Sequence, residues 1–179
     1  MNLPTANTFR DLLVHDHERL DSMLTSILEL VHVDVPQNLD DPWTTFEDSL
    51  LSHLDAEEMF LLPGLAKHDV LGADRIRNEH AKIRELLAEV GVGIELHMVR
   101  EEQMVELARL LRTHASMEER LLYVWADTAL PRGYFASILR RQRATWQRMT
   151  SPPKARGNAA GKASPGLPVP PQSHRTDLA

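Results

Sequence analysis

The chain has no cysteine. Disulfides, thiolate zinc sites, iron–sulfur clusters and a thiol nucleophile are therefore excluded. Aromatic residues make up only 5% of it, and four prolines and four glycines precede residue 130. A β-sandwich or barrel needs turn formers at short intervals, so an all-β fold does not suit this body. No apolar run approaches the roughly 18 residues of a membrane span. The segment from Met1 to Thr8 is polar, with no apolar stretch behind a basic start, so a soluble, cytoplasmic protein is expected. Glycine-rich phosphate loops, a Gly-x-Ser-x-Gly elbow and a basic patch interleaved with aromatics are all missing, which leaves nucleotides, hydrolase chemistry and nucleic acids without support.

What is present is unevenly distributed. Residues 1–127 carry 25 acidic and 11 basic side chains, whereas residues 128–179 carry nine basic side chains and the single acid Asp177. The last 30 residues hold six of the 11 prolines and three of the eight glycines, and few large apolar side chains. Such a segment cannot bury enough surface to offset its ordering entropy. Two parts are expected: an ordered body over residues 1–149 and a disordered, Pro-rich, basic tail over 150–179.

Within the body the apolar residues recur at helical spacing. A first helix carries Phe9, Leu12, Leu13, Leu20, Leu24 and Ile27 and ends before Pro36. A second starts at Asp41-Pro42, carries Trp43, Phe46, Leu50 and Leu54, and is kinked or stopped by Pro63-Gly64. A third runs from about Gly72 with Ile76, Ile83, Leu87 and Val90, weakened at Gly91 and Gly93. A fourth runs from near Glu101 with Met104, Leu107, Leu111, Leu121 and Trp125. A short basic helix from Pro131 adds Phe135, Ile138, Leu139 and Trp146, and its apolar side should pack on the body. Four long helices with short connections imply an all-α, antiparallel up-down four-helix bundle.

Several polar residues interrupt the apolar stripes. His17 falls between Leu13 and Leu20, His53 and Glu57 between Leu50 and Phe60, His80 between Ile76 and Ile83, and His114 and Glu118 between Leu111 and Leu121. Every long helix thus points a histidine inward, and two add a carboxylate one turn later. Counted from the loops, the histidines lie within about one turn of a common level at 1.5 Å per residue. Buried carboxylates are costly alone and reasonable around a shared cation. Glu57 and Glu118, four positions after their histidines, lie about 40° from them on the helix; Glu58 and Glu119 lie about 140° away and should face a neighbour or solvent. His15 reads as a surface residue, and His32, His68 and His97 as residues near helix C-termini, where the macrodipole favours cations. Asp21 reads equally as a partner of the site or as a surface charge.

These segments are Asp16-His17-Glu-Arg-Leu20, His53-Leu-Asp-Ala-Glu57-Glu58-Met-Phe-Leu-Leu-Pro63, Glu79-His80-Ala-Lys-Ile83 and His114-Ala-Ser-Met-Glu118-Glu119-Arg-Leu121. In this order the chain resembles the hemerythrin-like, or HHE cation-binding, family over roughly residues 8–127. The resemblance implies a four-helix bundle around a non-haem centre of two iron ions. His17, His53, His80 and His114 would be terminal ligands, and Glu57 and Glu118 would bridge the irons together with an oxygen bridge. The oxygen-carrier members have two histidines one turn apart on the third helix. Here Arg84 follows His80 at that spacing and Ile76 precedes it. Arg84 reads as a surface arginine or as a charge favouring an anionic adduct. The ferritin-like order, Glu-x-x-His on paired helices, does not fit the histidine-first repeats.

The expected function is that of a di-iron protein that interacts with dioxygen, peroxide or nitric oxide in sensing or stress handling. The alternative is an iron-sequestering or iron-sensing module docked to a protein partner or compartment through the basic tail; a metal-free helical interaction domain ranks below both. Deleting residues 150–179 should leave the fold and the metal content of the body unchanged, because the segment adds little apolar surface and none of the stripe histidines. A thermal melt and metal analysis of the truncated protein check this, and a large loss in either would place a structural element in the tail.

Overall fold

In the computed structural model, the described residues are 8–32, 39–131, 133–134, 136–138 and 140. Six helices are described: α1 (Phe9–His32), α2 (Asp40–Phe60), α3 (Leu62–Leu65), α4 (Val70–Glu95), α5 (Glu101–Arg120) and α6 (Leu122–Ala129). Residues 133–134, 136–138 and 140 are also helical. The rest of the expected fifth helix, including Phe135, Leu139 and Trp146, lies outside the described residues, as does the tail of 150–179. Among the described residues no helix is long and apolar enough to cross a membrane.

Local chemistry sets the boundaries. Thr8 accepts a hydrogen bond from the Asp11 amide at 2.9 Å, and Asp127 accepts one from the Phe9 amide at 2.6 Å, so α1 is capped both by its own chain and by the far end of the ordered body. Asp69 caps α4 by accepting from the Gly72 amide at 2.8 Å. α2 begins one residue before the expected Asp41, and Asp40 and Asp41 sit in its first turn without a side-chain cap. There their charge favours the positive end of the helix dipole. Pro63 explains why α2 stops at Phe60, since its ring cannot follow the preceding helical carbonyls.

The glycines expected to weaken the third helix do not end it early. α4 continues to Glu95. A Cβ on Gly91 would lie 3.2 Å from Trp43 Nε1, and one on Gly93 would lie 3.3 Å from Val99 Cα. Both positions are places of close approach. After α4 the chain turns at His97, whose φ of 54° is left-handed, while the Met98 amide bonds back to Gly93 O at 2.7 Å.

α2 with α3 and α5 with α6 each act as one interrupted segment, so four long segments neighbour one another in a closed circuit: α1 on α2, α2 on α4, α4 on α5 and α5 on α1. The core is split into two apolar clusters. One gathers Leu24, Phe46, Leu87 and Leu107 with their neighbours. The other gathers Leu13, Leu62, Ile76 and Leu122, and also Ile138 from the helical turn after Pro131. Between them lies a layer of buried polar side chains: Asp16, Ser49, His53, Glu57, His80, His114 and Glu118. The clusters are met in alternating order along successive segments, so neighbouring segments run antiparallel.

Leu87→Ala should cost about 2–5 kcal/mol, because a side chain with 1% exposure inside a packed cluster leaves a cavity. Leu71→Ala should cost less than about 0.5 kcal/mol, because Leu71 is 83% exposed. Urea melts of the two variants check both values, and equal losses would show that Leu87 does not support the core.

Candidate metal centre

The polar layer is built by four segments, two of which supply side chains one helical turn apart. His53 and Glu57 on α2, and His114 and Glu118 on α5, share a face because their spacing is four residues. His17 on α1 and His80 on α4 face them. Glu57 and Glu118 have no exposed surface, and His53 and His80 have 1% or less.

The structure brings all six stripe residues together. One group of potential ligand atoms comes from His17, His53, Glu57 and Glu118, and a second from Glu57, His80, His114 and Glu118. Within each group the atoms lie within 4.8 Å of one another. Glu57 and Glu118 belong to both. The Nε2 atoms of His17 and His53 are 3.0 Å apart, and Nε2 of His80 lies 3.2 Å from Glu118 Oε1 and 3.4 Å from Glu57 Oε2.

The outward nitrogens have partners of their own. His53 Nδ1 donates to Asp16 Oδ2 at 3.0 Å, His80 Nδ1 to Glu58 Oε1 at 2.8 Å, and His114 Nδ1 to Glu79 Oε2 at 3.0 Å. His17 Nδ1 stands 3.5 Å from Glu119 Oε1, too long for a good bond. These bonds take up Nδ1 and fix the rings, so in three imidazoles Nε2 is the nitrogen that faces inward and would offer its lone pair to a cation. Glu57 Oε2 is buried without a hydrogen-bond partner, and His114 Nε2 lies 3.1 Å from Glu118 Oε1. Inward-facing Nε2 atoms, two shared carboxylates and a buried carboxylate oxygen without a hydrogen-bond partner fit a cation. The donor set of imidazole nitrogen and carboxylate oxygen suits iron, manganese or zinc, and lacks the thiolates that mark softer sites.

Other residues are placed as follows. Glu58 and Glu119 face neighbouring helices, as their angle predicts. Asp21 lies in an exposed pair with Arg112 at 2.6 Å and is a surface charge. Arg84 bonds Asp55 at 3.0 Å and Glu58 at 3.1 Å, so its charge is met by carboxylates outside the polar layer. His15 is half exposed beside Glu18, and His32 pairs with Glu101 on the surface at 3.2 Å.

Tyr123 is absent from the sequence-level candidates. Its buried hydroxyl donates to Glu57 Oε1 at 2.5 Å and lies 3.0 Å from His17 Nε2 and 3.3 Å from Glu118 Oε2. In an uninterrupted helix, a residue five positions after Glu118 would be about 140° away from it. The interruption at Leu121, where φ is −108° and ψ −63°, turns Tyr123 into the site. It also leaves Leu121 45% exposed instead of inside the expected stripe. No proline or glycine marks that break, so residue spacing could not have shown it.

The electrostatics of the metal-free layer are those of a proton store. Burial by itself would lower the His80 pKa, but hydrogen bonds and charge from Glu118 and Glu57 outweigh it and push the group up to about 10. His17 and His114 also rise, against the effect of burial, through Glu118 and Glu57. Burial would raise Glu118, yet the surrounding histidines hold it well below the ordinary carboxylate value. Asp16, likewise opposed by burial, is held at about 2 by His53 and Arg19. Burial and the two glutamates push Tyr123 well above its ordinary value, so its hydroxyl keeps its proton.

The model of the hemerythrin HHE cation-binding domain matches residues 8–126. Comparisons with curated proteins and with solved structures returned no match.

The metal-free protein should lose stability at both ends of the pH scale. The His80 contribution is complete below its unpaired value of 6.5 and is lost as pH rises through about 10. The Asp16 contribution is complete above 3.8 and is lost as pH falls through about 2. A divalent cation must displace the imidazolium protons, so its uptake should release protons and tighten from pH 6 to pH 8. Urea melts of metal-free protein and calorimetric titration in buffers of different ionisation enthalpy check these signs. Uptake without proton release would contradict a protonated layer.

Proposed function

Since the chain belongs to the hemerythrin HHE cation-binding domain family, we propose that it is a non-haem di-iron protein, built as an up-down four-helix bundle, that interacts with dioxygen, peroxide or nitric oxide. The observation that carries this reading is the pair of four-residue groups sharing Glu57 and Glu118. One position would be held by His17 and His53, the other by His80 and His114, with both glutamates spanning the two. Two six-coordinate ions call for about twelve donor positions. Four imidazoles and two bridging carboxylates supply eight, which leaves room for a small ligand. When bound, such a pair supplies redox chemistry toward small oxygen or nitrogen species.

The chain's own residues hold and tune the site. Asp16, Glu58 and Glu79 orient three imidazoles through Nδ1. The Tyr123 hydroxyl donates its one proton to Glu57 Oε1 across 2.5 Å and so holds that carboxylate in place within the layer. The two apolar clusters exclude water from above and below the layer. Arg84, bound to Glu58, offsets that carboxylate's charge and leaves the inner layer to the bound cations.

Purified protein loaded with ferrous iron should retain about two irons per chain, with near-ultraviolet charge-transfer bands after oxidation. His53→Ala and His114→Ala should lose iron, because each opens one position and leaves a buried glutamate poorly compensated. His15→Ala and His97→Ala should retain it. Metal analysis and optical spectra of the loaded proteins decide this. Iron near zero in the parent chain, or equal retention in all four variants, would overturn the reading.

A further inference from the structure

The six stripe residues do not exhaust the donor atoms of the polar layer. Tyr123 has no exposed surface. Its hydroxyl oxygen stands 2.5 Å from Glu57 Oε1, 3.0 Å from His17 Nε2 and 3.3 Å from Glu118 Oε2. These three residues belong, with His53, to one of the two four-residue groups. Within that group His17 Nε2 lies 3.0 Å from His53 Nε2 and 3.4 Å from Glu118 Oε2, and His53 Nε2 lies 3.5 Å from Glu57 Oε1. The phenolic oxygen is thus as close to the ligand atoms of the group as they are to one another. Ligands held at about 2.1 Å from a six-coordinate ion stand about 3 Å from their neighbours. The Tyr123 oxygen has that relation to three of them. A hydroxyl that only braced a carboxylate from outside the layer would approach Glu57 and no imidazole.

We propose that Tyr123 is a further protein ligand of the centre, its oxygen binding as phenolate to the ferric ion held by His17 and His53. The proposal rests on the di-iron reading and adds one donor position to the eight of the imidazoles and carboxylates. Without metal the hydroxyl donates to Glu57 Oε1. On ferric binding the O–H bond breaks, an electron pair of the oxygen forms the bond to iron, and the proton leaves to solvent. No electron is transferred in that step. A ferric ion is hard and highly charged, and it favours an anionic oxygen donor. Two ferric ions bring more positive charge than Glu57 and Glu118 can balance, and a third anionic donor reduces the excess in a site that water does not reach. Ferrous ions carry less charge and leave the phenol protonated on Glu57.

The test reads visible absorption and resonance Raman scattering of iron-loaded protein oxidised with ferricyanide, a one-electron oxidant. Phenolate on ferric iron gives a charge-transfer band in the visible, apart from the near-ultraviolet bands of an oxygen-bridged pair. The chain has two tyrosines, and the other, Tyr134, is 44% exposed. The visible band should be present in the parent, bleach on reduction, persist in Tyr134→Phe and be lost in Tyr123→Phe while iron content stays at about two per chain. In parent protein grown on ring-deuterated tyrosine, the Raman lines excited within that band should shift. This arm needs no variant, so it decides the matter even where Tyr123→Phe does not fold. A tyrosine that serves only as a hydrogen-bond donor to Glu57 gives no such band. A parent with two irons and no visible band, a band insensitive to tyrosine deuteration, or a band that survives in folded Tyr123→Phe would overturn the proposal and leave the di-iron reading standing. A parent that retains no iron on metal analysis would instead overturn the di-iron reading, and this ligand with it.

Discussion

Everything in this fold is arranged around two carboxylates that water cannot reach. Glu57 and Glu118 lie in the middle of the helices with no exposed surface. Burying such groups without compensation costs several kcal/mol each, a large fraction of the stability of a domain this size. Positive charge must therefore be supplied inside the layer. In the metal-free state the imidazoles supply it as protons, which is why His17, His80 and His114 all titrate above their ordinary value. A bound cation can supply the same charge and release those protons. The layer is thus an exchange site for protons and metal, and the two apolar clusters on either side hold it dry.

The outer carboxylates extend this logic into the helix contacts. The doublets Asp16-His17, Glu57-Glu58, Glu79-His80 and Glu118-Glu119 each place one residue in the inner layer and its neighbour against the next helix. Adjacent residues are 100° apart on a helix, so one can face the axis while the other faces a seam. Asp16 on α1 holds His53 on α2, Glu58 on α2 holds His80 on α4, and Glu79 on α4 holds His114 on α5. Glu119 on α5 closes the circuit toward His17 on α1 at the longer distance of 3.5 Å. Three of the four imidazoles are oriented by the helix before them. A disturbance of one seam is therefore passed to the next histidine, and the geometry of the site and the packing of the helices are set together.

The sequence revealed the inner layer because its residues break an otherwise apolar stripe at regular helical spacing. The four-residue interval also separated Glu57 and Glu118 from Glu58 and Glu119 by angle alone. The same rule hid Tyr123, since five residues point away in an unbroken helix and no proline or glycine announces the interruption at Leu121. Asp21 and Arg84 stayed ambiguous because a charged residue one turn from a histidine fits either a surface or a site. Only the positions of Arg112, Asp55 and Glu58 on other segments decide them, and such long-range pairings leave no trace in local spacing. Helix ends were legible to within a few residues, with the caps Thr8 and Asp69 as the local cause. Asp127, which caps α1 from 118 residues away, has no local signal at all.

The two halves of the layer are each built from two histidines and the same two glutamates, yet they are not equivalent. The half around His80 and His114 is backed by Glu58, which Arg84 bonds, and by Glu79, which Arg75 bonds, on the far side of the imidazoles. The half around His17 and His53 has the Tyr123 hydroxyl inside it and its weakest outer bond at His17. Rigid backing suits a position that keeps its ligands fixed. At His17 the imidazole is the least firmly held of the four, and the Tyr123 hydroxyl stands beside it. The two groups share Glu57 and Glu118, and the interruption in the helix after Glu118 sets Tyr123 beside His17 and so makes the two halves differ.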